Sequence, residues 1–272
     1  MALLTYTNLE QISPLFKGKS GHILANCLMK LFAVDKVCEL YDNNEEYLGV
    51  DFAHHILQDI GVNYTVIGSE ILEELPKGAF ITISNHPYGS IDGIMLIDLI
   101  GRYRPDFKVL VNQFLGYIKR LEPNFIKVVP TGKQKEGIKK ESLRGIMQSL
   151  KHLQAGAPLG LFPSGAVSDL SIKDGCIRDR EWQMSAIQLI KKSRVPVVPF
   201  SFTDRNSMFY YLLGLIDWRL RVTRLPREVF NKRNKTTRVE ILPIITVEEQ
   251  DKYSNIEEFR TFLRSTIYPI PK

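Results

Sequence analysis

The 272-residue chain reads as an α/β protein, a central mixed sheet flanked by helices, with a helical extension at its N-terminus. Three observations carry that reading. From residue 79 onward, short apolar runs bounded by turn residues alternate with helix-length amphipathic stretches, the pattern of strands buried between helices. The first 62 residues show the helical period instead. The composition, 44% hydrophobic and 24% charged, supplies enough apolar material for a sizeable core. The expected organisation is an extension over 1–62 and a main domain over 63–272, together forming one structural unit.

The elements follow in order. Ile23, Leu24, Cys27, Leu28, Leu31, Val34, Val37 and Leu40 recur at helical spacing and predict one helix, ended by Asp42, Asn43 and Asn44. A second amphipathic stretch over 47–60 stops at Gly61. Residues 63–68 alternate as a strand, Pro76, Lys77 and Gly78 make a turn, and 79–84 is a short buried strand. Helix 92–102 precedes strand 107–112. Strand 126–129, helix 140–155, strand 158–162, helix 181–193 and strand 195–202 follow. An apolar helix over 208–217 leads into a basic stretch over 219–227. Strand 237–241 and helix 255–267 complete the chain, which shows no internal repeat.

Charge and composition narrow the function classes. The net charge is +6 and the pI near 9.1, a balance suited to an anionic membrane surface, an acidic carrier protein or nucleic acid. No zinc motif, phosphate-binding loop or aromatic RNA-reading signature favours the last. Cys27, Cys38 and Cys176 lack CxxC spacing and read as reduced thiols of a cytosolic protein, the first two on one helix face. The five histidines form no zinc-like cluster with them, so no metal is expected. The most apolar runs, 94–100 and 208–216, fall short of the roughly 20 residues that span a bilayer, and residues 1–19 lack signal-peptide character.

Two segments carry chemistry. The first is Asn85, His86, Pro87, Tyr88, Gly89, Ser90, Ile91, Asp92, Gly93. A histidine leaves a buried strand, and an aspartate follows six positions later where a helix begins. The glycines and proline between them allow a tight loop in which the carboxylate reaches the imidazole. An aspartate on one ring nitrogen sets the tautomer and leaves the other free to take a proton from a hydroxyl. The alternative makes Ser90 or Asp92 a helix N-cap and His86 an ordinary loop residue. The second segment is Phe162, Pro163, Ser164, Gly165, Ala166, Val167, Ser168, a small-residue turn after another buried strand. Its N–H groups are candidates to cradle an acyl carbonyl or oxyanion, though a turn with no chemistry has the same pattern. A strand bracketed by prolines, Arg194 to Phe200, comes next.

In this order and spacing the segments resemble the glycerophospholipid acyltransferase superfamily, whose lysophosphatidic acid acyltransferases carry Asn-His…Asp, Phe-Pro-Glu-Gly-Thr-Arg-Ser and Val-Pro-(Ile/Val)-(Ile/Val)-Pro blocks. The likeness covers about residues 64–202. It is closer to the hemolysin-like subgroup that O-acylates ornithine or glycine lipids. That subgroup has a His-Pro-x-Gly-x-x-Asp-Gly loop, matched by His86, Pro87, Gly89, Asp92 and Gly93, and a Phe-Pro-Ala-Gly-x-Val-Ser block. Asp204, Arg205, Asn206 and Ser207 resemble the same subgroup.

The resemblance implies that His86 is a general base oriented by Asp92, with Asn85, Gly89, Ser90 and Gly93 shaping the loop. It also implies that Phe162, Pro163, Ser164, Gly165 and Ala166 contact substrate or oxyanion. No cofactor is implied beyond the donor thioester, an acyl carrier protein or coenzyme A conjugate. The acceptor is a membrane lipid, which implies a peripheral enzyme on the cytoplasmic side of the inner membrane. Where phosphate-acceptor enzymes have an arginine, this chain has Val167, and guanidinium forks are the natural phosphate partner. A lyso-aminolipid is therefore the expected acceptor, with Lys127 or Lys133 the possible substitutes for the missing charge. The basic residues Arg219, Arg221, Arg224, Arg227, Lys232, Arg233 and Lys235 are either a solvated surface or a site for anionic headgroups or carrier protein. The competing readings are a lysophosphatidic acid acyltransferase and a non-catalytic membrane-binding protein of the same fold.

Overall fold

The computed structural model describes residue 10 and residues 13–128 and 140–268. Three helices come first: α1 (Gly18–Phe32), α2 (Val34–Asn43) and α3 (Gly49–Ile60). The single long helix expected over the first apolar run is broken at Ala33, which adopts φ 58° and turns the chain between α1 and α2. Cys27 and Cys38 therefore lie on different helices, the first exposed and the second buried. The periodicity survives the break because both helices bury one face, which is why the apolar spacing alone did not show it.

A seven-stranded sheet fills the centre. Its strands are β1 (Asn63–Ile67), β2 (Ile81–Ser84), β3 (Lys108–Asn112), β4 (Phe125–Val128), β5 (Leu159–Leu161), β8 (Val197–Phe202) and β9 (Thr236–Ile241). The order is β1-β9-β8-β2-β5-β3-β4, parallel throughout except for the antiparallel β8–β9 pair. A separate antiparallel hairpin, β6 (Asp169–Ser171) with β7 (Cys176–Arg178), follows β5. Its three-residue strands are too short and polar to show in the sequence pattern.

Helices cover both faces. On one, α3 and α4 (Ile91–Gly101) pack on β3, β8 and β9 through Phe52, Ile56, Met95, Leu96, Val109, Phe200 and Val239. On the other, α5 (Lys140–Gln154), α6 (Met184–Ser193) and α10 (Ile256–Ile267) close over Ile81, Ile83, Leu159 and Val197 with Ile187, Phe259 and Leu263. β2 is wholly buried although Thr82 and Ser84 alternate with Ile81 and Ile83 along it. Between β8 and β9 the chain forms a helical hairpin, α7 (Met208–Ile216) and α8 (Trp218–Phe230). The second of these was legible only as a basic stretch. A short helix, α9 (Val247–Asp251), follows β9.

This topology gathers the motifs. β2 lies between β5 and β8, parallel to both, so residues 85–93, 162–168 and 203–207 leave the same edge of the sheet. Loops at the carboxyl ends of parallel strands are where α/β sheets place their sites.

Candidate active site

Asn85 and His86 follow directly from β2, and their backbone is held on two sides. The Asn85 side chain pairs with the backbone of Phe202 at the end of β8, its Nδ2 donating to the carbonyl and its Oδ1 accepting from the amide, each at 2.8 Å. The His86 amide donates to Asp179 Oδ1 at 3.1 Å, and its carbonyl accepts from the Ser168 amide at 2.9 Å. The imidazole is thus fixed at its root before its ring makes any contact.

The ring meets Asp92. His86 Nδ1 lies 2.9 Å from Asp92 Oδ2, and the carboxylate is completely buried. Three amides also point at that carboxylate: Tyr88 and Gly89 at Oδ2, 3.1 and 3.3 Å away, and Gly93 at Oδ1, 3.0 Å away. A buried anion needs this many donors, because desolvation without them costs several kcal/mol. A carboxylate only accepts, so where His86 Nδ1 donates to it, the hydrogen of the neutral ring sits on Nδ1 and Nε2 carries the free lone pair. Ser90 occupies the N-cap position of α4 without a side-chain cap bond, and Asp92 faces the imidazole. The helix-capping alternative is not what the loop does.

Burial of the imidazole disfavours its charged form, but the charge of Asp92, its hydrogen bond and the charge of Asp179 outweigh that effect. They hold His86 above the ordinary histidine range. The Phe162 ring lies 4.1 Å from the imidazole, centroid to centroid, and covers one side of it. Gly89 adopts φ +83°, and a Cβ there would stand 2.6 Å from Val167 and 3.0 Å from Leu225 of α8. Glycine is required for both reasons, and the contact shows how closely the two motifs approach.

The 162–166 turn is tightly organised. The Gly165 amide donates to the Phe162 carbonyl at 2.9 Å, and Ser164 Oγ donates to the Ala166 carbonyl at 2.7 Å. The Gln183 amide donates to the Pro163 carbonyl at 2.8 Å, and its side chain presses on Gly165, which has φ +63°. Pro163 and Ser164 are buried, while Gly165 is exposed.

Other residues complete the site: Asp179 and Tyr211 had no sequence signal, whereas Asn206 lies in the 204–207 segment and Arg221 and Lys232 in the basic stretch. Asp179 is buried and accepts from Ser168 Oγ at 2.6 Å, from the His86 amide and from Trp182 Nε1 at 3.3 Å. Burial raises its carboxyl pKa, and those hydrogen bonds oppose the rise. It follows the short β6–β7 hairpin, outside both motifs though only eleven residues after Ser168. Arg221 comes from α8, is buried, and donates to the carbonyls of Val167 and Ser168, each at 3.2 Å, while pairing with Asp169. Asn206 and Tyr211 hold the loop from behind, donating to the carbonyls of Tyr88 and Pro87 at 3.1 and 3.2 Å. Lys232 is buried over the Tyr88 ring at 4.8 Å, donates to the Arg205 carbonyl, and has its pKa lowered to about 8, mainly by burial.

The basic stretch is therefore not one surface. Arg221 and Lys232 are internal and Arg224 pairs with buried Glu228, whereas Arg219, Arg227, Arg233 and Lys235 are exposed. Lys127 pairs with Glu122, and Lys133 lies outside the described residues. A cleft of about 420 Å³ adjoins the motif edge behind Asn85 and Pro87, bounded by the β6–β7 hairpin, residues 201–205 and Tyr268. His86 itself does not line it. Among the described residues there is no group of three or more His, Cys, Asp or Glu side chains suited to a metal, and no helix is long and apolar enough to cross a membrane.

The chain is similar to known proteins along most of its length. A lyso-glycine lipid O-acyltransferase of Bacteroides thetaiotaomicron is 29% identical over 251 residues, covering 89% of this chain and 88% of that protein. One from Phocaeicola vulgatus is 26% identical over 276 residues, covering 96% and 95%. Among solved structures, the 1-acyl-sn-glycerophosphate acyltransferase PlsC of Thermotoga maritima matches with a TM-score of 0.48 and 16% identity, over 80% of this chain and 78% of that one. Residues 22–271 match the family described as "Acyltransferase", so nearly the whole chain, both motifs included, belongs to the acyltransferase family.

Proposed function

We propose that the protein transfers a fatty acyl group from a thioester to the hydroxyl of a lyso-aminolipid, with a lyso-glycine lipid as the first acceptor to test. The contact that carries this reading is His86 Nδ1 on the buried Asp92 carboxylate, within a chain of the acyltransferase family. Both relatives named above are lyso-glycine lipid O-acyltransferases and match along nearly their full length.

In the proposed reaction His86 Nε2 takes the proton of the acceptor hydroxyl as its oxygen attacks the thioester carbonyl. The C–O bond forms, the tetrahedral intermediate collapses with loss of the C–S bond, and the proton passes to the departing thiolate. Asp92 stabilises the transient imidazolium and keeps Nε2 aimed outward. No acyl-enzyme is needed, and the donor is an acyl carrier protein or coenzyme A thioester with no further cofactor. The 162–166 turn is assigned to the carbonyl side, because Phe162 already lies against the imidazole. For Gly165 to hold an oxyanion, its amide must first leave the Phe162 carbonyl.

The acceptor follows from charge. Val167 cannot pair with a phosphate, and the arginine that reaches this segment, Arg221, is buried and engaged by Asp169 and two carbonyls. A phosphate would lack a guanidinium partner at this place. The test is a side-by-side assay of the purified protein with lyso-glycine lipid and lysophosphatidic acid, using both donor thioesters. Turnover at least about tenfold faster on the lyso-glycine lipid supports the reading, a factor equal to some 1.4 kcal/mol of selectivity. Turnover on lysophosphatidic acid alone overturns it.

A further inference from the structure

The outer face of the α7–α8 hairpin is apolar and open to solvent. On α7, Phe209, Leu212 and Ile216 fall at helical spacing on one side, away from the buried Tyr210 and Tyr211, and Ile216 is 76% exposed. α8 packs beside α7 and adds Trp218 and Val222, one turn apart on one flank, Trp218 being 58% exposed, while exposed Leu220 lies on the opposite flank. Exposed large side chains scattered singly need no explanation, but a contiguous set on one hairpin marks an interaction surface.

Its charge is one-sided. Arg219 and Arg227 are exposed on α8, against two acids, half-buried Asp217 and buried Glu228. Asp217 accepts from the Arg219 amide as the cap of α8, and Glu228 is buried under Ser207 and Asn231. The hairpin's inner side belongs to the site: Leu225 approaches Gly89, and Arg221 holds the Val167 and Ser168 carbonyls.

We infer that this face docks on an anionic phospholipid bilayer, with α7 and α8 lying in the interfacial plane and the His86 loop at the docked edge. The inference rests on the lipid-substrate reading above and names the surface that would bring that substrate to the site. A tryptophan beside an arginine at the edge of an apolar face, with the exposed arginines outnumbering the one half-buried acid, Asp217, is how interfacial helices are built. An acidic carrier protein would answer the arginines but leave the aliphatic side chains of α7 without a counterpart. The bilayer satisfies both, and the +6 net charge adds long-range attraction.

The test uses the full chain and vesicles of phosphatidylcholine with phosphatidylglycerol, carrying brominated acyl chains that quench nearby tryptophan. The chain has two tryptophans, and Trp182 is buried, so Trp218 is the reporter. Docking predicts a blue shift and quenching that Trp218→Phe abolishes. Leu212→Ser with Ile216→Ser should weaken vesicle binding roughly tenfold or more without changing the melting temperature. Arg219→Glu with Arg227→Glu should weaken binding to anionic vesicles more than to neutral ones. Wild-type fluorescence unquenched at saturating vesicles overturns the proposal, as does vesicle binding undiminished in the α7 double variant. Saturable carrier-protein binding to this face, with none to vesicles, also overturns it. Quenching needs no turnover, and turnover on a short-chain, water-soluble acceptor needs no docking, so failure of either reading is separately visible.

Discussion

The loop that carries His86 and the hairpin that shelters it are built on opposite terms. Between residues 85 and 93 the structure leaves little freedom: Asn85 is clamped to Phe202, Asp92 accepts four hydrogen bonds, and Asn206 and Tyr211 hold the loop carbonyls. On α7 and α8 a set of large apolar side chains, Leu212, Ile216 and Trp218 among them, faces solvent instead of the core. The difference separates two requirements. A base must be held in one orientation, because misplacing a reacting group by about 1 Å can cost 10²-fold in rate. A surface that receives lipid must stay unfilled by the protein itself. The contact of Leu225 and Val167 with Gly89 is the seam where the two regions meet.

Substitutions on the rigid side should have the largest effects. His86→Ala removes the proposed base and should lower turnover by about 10²–10⁴-fold. Its melting temperature should fall too, since buried Asp92 loses one of its four hydrogen bonds, but the variant should remain folded. Near-wild-type turnover of the pure variant would falsify the mechanism. Asp92→Asn should come close behind, because it deprives the imidazole of its counter-charge and leaves a neutral amide among donors suited to a carboxylate. Here both rate and stability should fall, the second read by thermal denaturation.

Asp179→Asn tests the support beneath the ring. Asp179 acts through the His86 backbone, so about 10–10²-fold in rate is expected, with KM for the donor little changed. A purely structural role for Asp179 would lower the melting temperature but leave the pH dependence of the surviving activity where it was. Removing its charge should instead shift the acid limb of that profile downward, since Asp179 helps raise the His86 pKa. Gly89→Ala sits on the seam. The positive φ and the 2.6 Å approach to Val167 predict a loss of about 1–2 kcal/mol in stability, read from chemical denaturation, and more if Val167 cannot yield. An unchanged midpoint would show that the seam is looser than the geometry implies.

Much of the rigid side was legible in the sequence. A buried strand, two glycines, a proline and a carboxylate six residues beyond a histidine leave few ways to fold, and the loop takes the one that joins Asp92 to His86. The convergence of residues 162–168 on that loop follows from strand order, which local patterning does not give. Asp179 and Arg221 were not legible. One follows a hairpin whose strands are three residues long, and the other sits in a stretch where its charge looked like all the others. Their roles depend on which side chains the tertiary fold buries, and a buried arginine and an exposed one have the same local signature. The break at Ala33 escaped for a similar reason: one residue in the left-handed region reorients a helix without disturbing the spacing of its apolar positions.

The central claim is that Asp92 makes His86 the proton acceptor. It is tested most directly by the pH dependence of kcat/KM for acyl transfer, measured for the wild type and for Asp92→Asn. Only the neutral imidazole can take the proton, so activity should rise with pH through the His86 pKa. Because Asp92 holds that pKa above the ordinary histidine value, the wild-type acid limb should lie higher than a free histidine would place it. In Asp92→Asn the limb should move to lower pH while the plateau falls. Coincident limbs for the two proteins, or a wild-type profile flat across the histidine range, would contradict the account.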